Sequence, residues 1–448
     1  MARSIEKQNE KNASPTLCWL VMLFLGWSSL RSIAAEGSSS AVNELAKVFD
    51  VRQFGARGDG RTLNTGAIQQ ALDECDKVGG GLVRIPGGTY LSKPIFLGNN
   101  TTLQLDAGAV LQATDEPADF VNPQKPGSFV GFVNGKDLLH IAIVGPGRID
   151  GAGIRWWVAA ELAERRNPGS APPQPFLIVL TNCKHVRLQD LTLQNSPSFH
   201  LVPTECDDVV VTNVTIRAPS DSTNTVAMCV NRCKNVLIAR CLTDVGDDNI
   251  SIKSGRAVPG RVFACENITV TDCTFLRGFG LSIGGETVGG VRNVTVQHCT
   301  FDGTANGLWI KSRRGKGGIV ENISYRDITM KNVDPAVMFT CYYRTNTQKD
   351  AALPLDSTTP IYRNIRISNL TANCRNSAGT IIGLPESPVT NVVLENVRIA
   401  AGTTGFVFKN AGGIQLKNVQ VTAAMGPSFL LEKAQVEGLE DLKTALKP

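Results

Sequence analysis

From His185 onward the chain repeats a short pattern: a polar residue, a β-branched residue, then apolar positions alternating with polar ones. The pattern starts at His185-Val186-Arg187-Leu188, recurs as Asn235-Val236-Leu237-Ile238, Asn293-Val294-Thr295-Val296 and Asn364-Ile365-Arg366-Ile367, and last occurs at Gly413-Ile414-Gln415-Leu416. In all, nine segments carry it, with anchors 22 to 42 residues apart. Period-two alternation predicts strands with one buried face. No unit is long enough to bury that face alone, so units must stack. Turn residues punctuate every unit and no helical stripe of ten residues interrupts them, which predicts a parallel β-solenoid. The Asn before each anchor is expected at a turn, within hydrogen-bond reach of its equivalents in neighbouring coils.

Ahead of the repeats, Ala67, Ile68, Ala71, Leu72 and Cys75 fall at helical spacing between Asn64 and Val78. Gly79-Gly80-Gly81 ends this stretch and Leu82-Val83-Arg84-Ile85 begins a strand. A short amphipathic helix there would cover the unpaired edge that an open solenoid exposes. It is the only sizeable helix the sequence predicts.

Residues 1–35 read as a secretory segment, with Arg3, Lys7 and Lys11 ahead of an apolar run from Leu17 to Leu25 and small residues at Ala34 and Ala35. The run is short for a membrane span. Residues 36–448 are then expected to form a single domain, with a cap at about 49–91 and functional coils at about 180–345. A secreted or periplasmic monomer, off the membrane once the segment is removed, is the corresponding expectation.

Composition narrows the function. With 45 basic and 40 acidic residues in 448, the +5 net charge is too balanced for a nucleic-acid binder. Only 4 His occur, and none of the 12 Cys lies in a CxxC pair, so neither a metal nor another cofactor is expected. Cys183, Cys206, Cys233 and Cys265 recur at one place in the repeat, as small core fillers would. The N-x-S/T sequons at Asn213, Asn249, Asn267, Asn293, Asn322 and Asn369 follow from turns that favour Asn and strands that favour Thr. No dinucleotide fingerprint, P-loop or G-x-S-x-G elbow is present.

Four short segments on successive coils carry the candidate chemistry: Asn224-Thr225-Val226, Gly246-Asp247-Asp248, Gly278-Phe279-Gly280 and Trp309-Ile310-Lys311. In order and context, with Ser282-Ile283-Gly284-Gly285-Glu286-Thr287 and Lys311-Ser312-Arg313 beside them, they resemble the N-T-D, G-D-D, G-H-G and R-I-K motifs of glycoside hydrolase family 28, the polygalacturonase family. The likeness runs from the cap segment Asp50 to Leu91 up to about Arg344. It implies a single-stranded right-handed parallel β-helix that hydrolyses pectin or a related acidic polysaccharide by an inverting mechanism. In the family the first Asp of G-D-D donates the proton, while its second Asp and the Asp of N-T-D activate water. The His supports the acid, and Arg and Lys hold the substrate carboxylate.

Three of those six positions are replaced here, by Val226, Phe279 and Trp309. Asp247 and Asp248 remain as the expected catalytic pair, since hydrolysis needs one carboxylic acid and one carboxylate. Neighbours on a regular strand face opposite sides, so both reach one groove only if Gly246 allows a bend. Asn224, Lys311, Trp309 and Phe279 are the expected substrate contacts, the two aromatic rings as an outward platform for a sugar face. His200 reads as structural. Two other functions fit the same residues: a glycan-binding β-helix without turnover, and a hydrolase shifted to a less acidic glycan.

Overall fold

The computed structural model describes residues 47–255, 263–343, 351–439 and 444–446. The expected secretory segment lies outside them. The described residues form a parallel β-helix. Its strands pair in parallel with those one coil away, from Val48–Asp50 to Thr444–Leu446. The alternation read from the sequence is the cause. Along Ile319–Val333, the side chains of Val320, Ile323, Tyr325, Ile328, Met330 and Val333 are buried. Stacked coils place like residues above one another, so one continuous core runs through them, with Phe275 on Phe301 one coil away at 4.8 Å between ring centroids. Each fully buried Val, Ile, Leu or Phe contributes roughly 1.5–3 kcal/mol.

The Asn positions close the turns. Asn235, Asn267, Asn293, Asn322, Asn364 and Asn391 all adopt left-handed backbone, with φ between 53° and 60°. Asn tolerates that region better than other side chains. Asn235 donates to Asp207 Oδ1 at 2.8 Å, and from Asn267 onward each side-chain amide donates to the side-chain carbonyl of the Asn one coil earlier, at 2.8 to 3.2 Å. The expected core role of cysteine also holds among the described residues: eleven thiols are buried and unbridged. Burial pushes the Cys265 thiol up to about 12, which keeps it protonated and unreactive.

Helix α1 (Thr65–Lys77) forms where periodicity placed it and buries Ile68, Ala71, Leu72 and Cys75. A second helix, α2 (Ile154–Arg166), corrects the expectation of a single sizeable helix. Its residues are mostly strong helix formers, but its apolar stripe is weak: only Trp156 and Ala160 are buried. Trp156 packs edge-on against Phe120 and Phe129, so tertiary contacts supply what periodicity lacked.

One sheet of the helix carries the candidate site. Its consecutive strands are β1 (Ile178–Thr181), β2 (Leu201–Thr204), β3 (Met228–Asn231), β4 (Ile250–Lys253), β5 (Leu281–Gly284), β6 (Leu308–Lys311) and β7 (Val337–Thr340). First and third positions point into the core. Register stacks the second positions, Cys229, Ser251, Ser282, Trp309 and Met338, on the outer face.

Candidate active site

The turns that enter β3, β4 and β5 hold the first three segments. Asn224 and Val226 precede β3, Asp247 and Asp248 precede β4, and Phe279 precedes β5, while Trp309 and Lys311 lie on β6. Because coils stack, the same turn recurs at the same place, and residues far apart in sequence meet at one cavity of about 190 Å³. Asn224, Val226, Asp247, Asp248, Phe279 and Lys311 all line it. That volume is below the ~300–1,000 Å³ of a drug-sized pocket and suits a short portion of a polymer.

Asp247 and Asp248 reach the cavity together because they lie in a turn rather than on a strand. Gly246 makes that turn possible: a Cβ there would sit 2.2 Å from the Ser222 carbonyl oxygen. The Asp248 amide donates to Asp247 Oδ1 at 2.6 Å. The two carboxyls nonetheless occupy different environments. Asp248 is buried, and Lys311 Nζ donates to both of its oxygens, at 3.1 and 3.0 Å. Ser282 Oγ donates to Asp248 Oδ2 at 2.7 Å. Asp247 has no such cation; burial first, and the Asp248 charge second, push its carboxyl above the usual carboxylate range. Burial pushes the Lys311 ammonium below the usual lysine range, against the pull of Asp248.

Lys311 crosses from β6 to a turn 63 residues earlier in the sequence. Gly284 leaves it room: a Cβ there would lie 1.7 Å from the Lys311 carbonyl oxygen and 3.2 Å from its Cγ. Trp309 differs from the expected open platform. It is only 3% exposed, and its ring faces Lys311 Nζ, which stands 3.7 Å from the ring centroid. Phe279 is half-buried on the cavity wall, and its amide donates to the Asp247 carbonyl. Val226 is 2% exposed and packs with Val202 and Cys229 in a small apolar cluster outside the main core, against which Phe176 and Phe199 lie. Asn224 adopts left-handed backbone and donates to Ser198 Oγ at 3.1 Å.

His200 is fully buried beneath this region. The Ser196 amide can only donate, so His200 Nε2 accepts at 3.3 Å, and Nδ1–H therefore donates to the Val226 carbonyl at 3.1 Å. The neutral ring ties down the turn of the first segment.

Lys253 and Tyr343 also line the cavity and were not singled out by the sequence reading. Lys253 and Lys316 flank Glu286, at 3.9 and 3.3 Å, and Lys253 Nζ stands 5.7 Å from the Phe199 ring centroid. Tyr343 closes the far side, stacked near Trp309 at 6.4 Å. The signal for Lys253 was its strand position, three residues into β4, which register places on the outer face beside Gly284 and Lys311. Among the described residues, no group of three or more His, Cys, Asp or Glu side chains could hold a metal ion.

Glycoside hydrolysis needs a carboxylic acid and a carboxylate, which two carboxyls at one cavity can supply, and comparison with known proteins points to the same chemistry. Residues 75–424 match the family described as Glycosyl hydrolases family 28, and the chain belongs to that family. It is 31% identical over 379 residues to an endo-polygalacturonase from Pectobacterium parmentieri, covering 80% of this chain and 87% of that protein. Among solved structures, it resembles an exopolygalacturonase from Thermotoga maritima at TM-score 0.71 and 25% identity, over 83% of this chain and 92% of the other. A polygalacturonase from Erwinia carotovora aligns at TM-score 0.65 and 26% identity, over 92% of this chain and all of the other.

Proposed function

We propose that this glycoside hydrolase cleaves glycosidic bonds in pectin or a related acidic polysaccharide, with Asp247 as the acid and Asp248 as the base. The observation that carries the reading is the unequal environment of two carboxyls at one cavity. Asp247, with a raised pKa and no cation of its own, is suited to hold a proton and deliver it to the leaving oxygen. Asp248, ion-paired with Lys311, is suited to stay ionised and activate water. A carboxylate offers about four acceptor sites; Lys311 and Ser282 make three contacts, which leaves room for a water on Oδ1. Arg313 and Lys316 on the cavity wall favour a polyanionic chain. Asn224 and Phe279 would contact the sugar. Secretion, directed by residues 1–35, and a monomer with one domain over 36–448 complete the proposal.

A second reading is favoured by Val226. With no carboxylate there, water activation falls to Asp248 alone, and a glycan-binding protein without turnover would keep the same groove. Reducing-sugar release from polygalacturonate and a panel of less acidic glycans separates the two. The expected result is cleavage that Asp247→Asn lowers at least about 10²-fold, the scale of a lost general acid. Binding of pectin without any cleavage would leave the second reading standing, and cleavage unaffected by Asp247→Asn would place the acid elsewhere.

A further inference from the structure

Trp309 is hard to account for as packing. Register places it on the outer face of the sheet, opposite Ser282 and Met338 and away from the inner core. Yet it is 3% exposed, and its Nε1 is buried without a hydrogen-bond partner among the described residues. An unsatisfied buried donor costs about 1–3 kcal/mol, so ring contacts must offset that cost. The closest charged contact is Lys311, whose Nζ stands 3.7 Å from the ring centroid, well inside the ~6 Å reach of a cation–π attraction. Tyr343 lies nearly parallel to Trp309, at 15°, but its centroid is 5.9 Å from the same ammonium. From the Trp309 ring, Lys311 reaches both oxygens of Asp248, which Ser282 also holds.

We propose that Trp309 is a positioning residue: its indole face seats the Lys311 ammonium on Asp248, so that Asp248 stays ionised and its neighbour Asp247 keeps the proton. Burial pushes the Lys311 ammonium towards its neutral form, and a π face opposes that push without supplying a second anion to compete with Asp248. The other charged groups facing the pair leave this task to Lys311. Lys253 and Lys316 flank Glu286, and Arg313 lies exposed on the wall. The buried Cys229 thiol, which burial pushes up to about 11, is neutral at pH 7. An arginine at 309, the residue of the family motif, would set a second cation beside Lys311 where the indole attracts it. The assignment of Asp247 and Asp248 as acid and base rests on the hydrolase reading above; the clamp itself does not.

The test compares the parent protein with Trp309→Phe, Trp309→Leu and Lys311→Met, using aspartate labelled with ¹³C at the carboxyl carbon. Asp247→Asn and Asp248→Asn assign the two signals. Removing the cation from the pair makes each ionisation harder, so both titration steps of the pair should move to higher pH in Trp309→Leu and in Lys311→Met. The expected displacement in Trp309→Leu is about half to one pH unit, which at about 1.4 kcal/mol per unit lies between the strengths of an exposed and a fully desolvated cation–π contact. Trp309→Phe keeps a ring and should titrate close to the parent. Should Trp309→Leu not fold, Trp309→Met supplies the same comparison. The pH–rate profile on polygalacturonate should show both limbs displaced in the same direction, whereas a merely structural Trp309 would lower thermal stability and leave both limbs in place. Trp309→Leu titrating with the parent, whether or not Lys311→Met shifts, would overturn the proposal. A shift in Trp309→Leu as expected, in a protein whose parent cleaves no glycan, would support the clamp and remove the hydrolase reading alone.

Discussion

At the residue scale, the site is governed by where protons and charges can be held out of water. Asp247 and Asp248 are identical side chains one peptide apart, and only their surroundings distinguish them. The raised Asp247 carboxyl has a consequence for stability. A carboxyl whose folded pKa lies above its unfolded value of about 3.9 favours the fold most when protonated, and that advantage is lost as pH rises through the folded pKa. Asp247→Asn cannot ionise, so it should be more stable than the parent at pH 7, with the difference shrinking as pH falls through the raised folded pKa and gone below about 4. Thermal melts at the two pH values check this. A variant less stable than the parent at pH 7 would mean that Asp247 is ionised and well paired in the fold. Both aspartates were legible from the G-D-D segment, and the family resemblance implied the roles proposed for them. Their unequal surroundings were not legible, because the cation that distinguishes them comes from Lys311, two coils further on.

At the element scale, the turns rather than the strands carry the specificity of the fold. The ladder of left-handed asparagines combines a backbone requirement with a side-chain hydrogen bond, and Asn322 sits in its middle, accepting from Asn364 and donating to Asn293, both at 3.2 Å. Asn322→Ala should cost about 1–3 kcal/mol, from left-handed strain of ~1–2 kcal/mol and the lost ladder bonds. Asn322→Gly relieves the strain and should cost less. Chemical denaturation of the two variants checks the order, and equal losses would assign the effect to hydrogen bonding alone. These asparagines were legible because the repeat displays them at a fixed offset from each β-branched anchor. Helix α2 was not, because its burial depends on Phe120 and Phe129, which no local pattern connects to Trp156.

At the scale of the whole molecule, one buried histidine links pH to stability. Burial holds His200 down at about 4, against about 6.5 in the unfolded chain. A depressed folded pKa contributes stability that is present above the unfolded value and lost as pH falls through the folded one. The protein should therefore lose stability between pH 6.5 and 4, by on the order of 3 kcal/mol from this group. His200→Asn should flatten that part of the melting-temperature profile, although it lowers stability at pH 7 by disturbing the bonds to Ser196 and Val226. An unchanged slope would place the acid sensitivity in the paired carboxylates instead.

The sequence by itself determined the architecture. Strand alternation, turn asparagines, a capping helix and a buried cysteine column are local patterns, and stacking follows once each unit is too small to bury its own face. It also determined which turns bear the site, because a solenoid returns the same turn to the same place on every coil. Tertiary structure alone decided what the substituted residues do. Trp309 reads in sequence as an exposed ring, but Lys311 folds back over it to reach Asp248, and that closure depends on side-chain reach across coils and on the gap left by Gly284. Charge pairing and desolvation are set by distances in space, and a one-dimensional pattern does not record them.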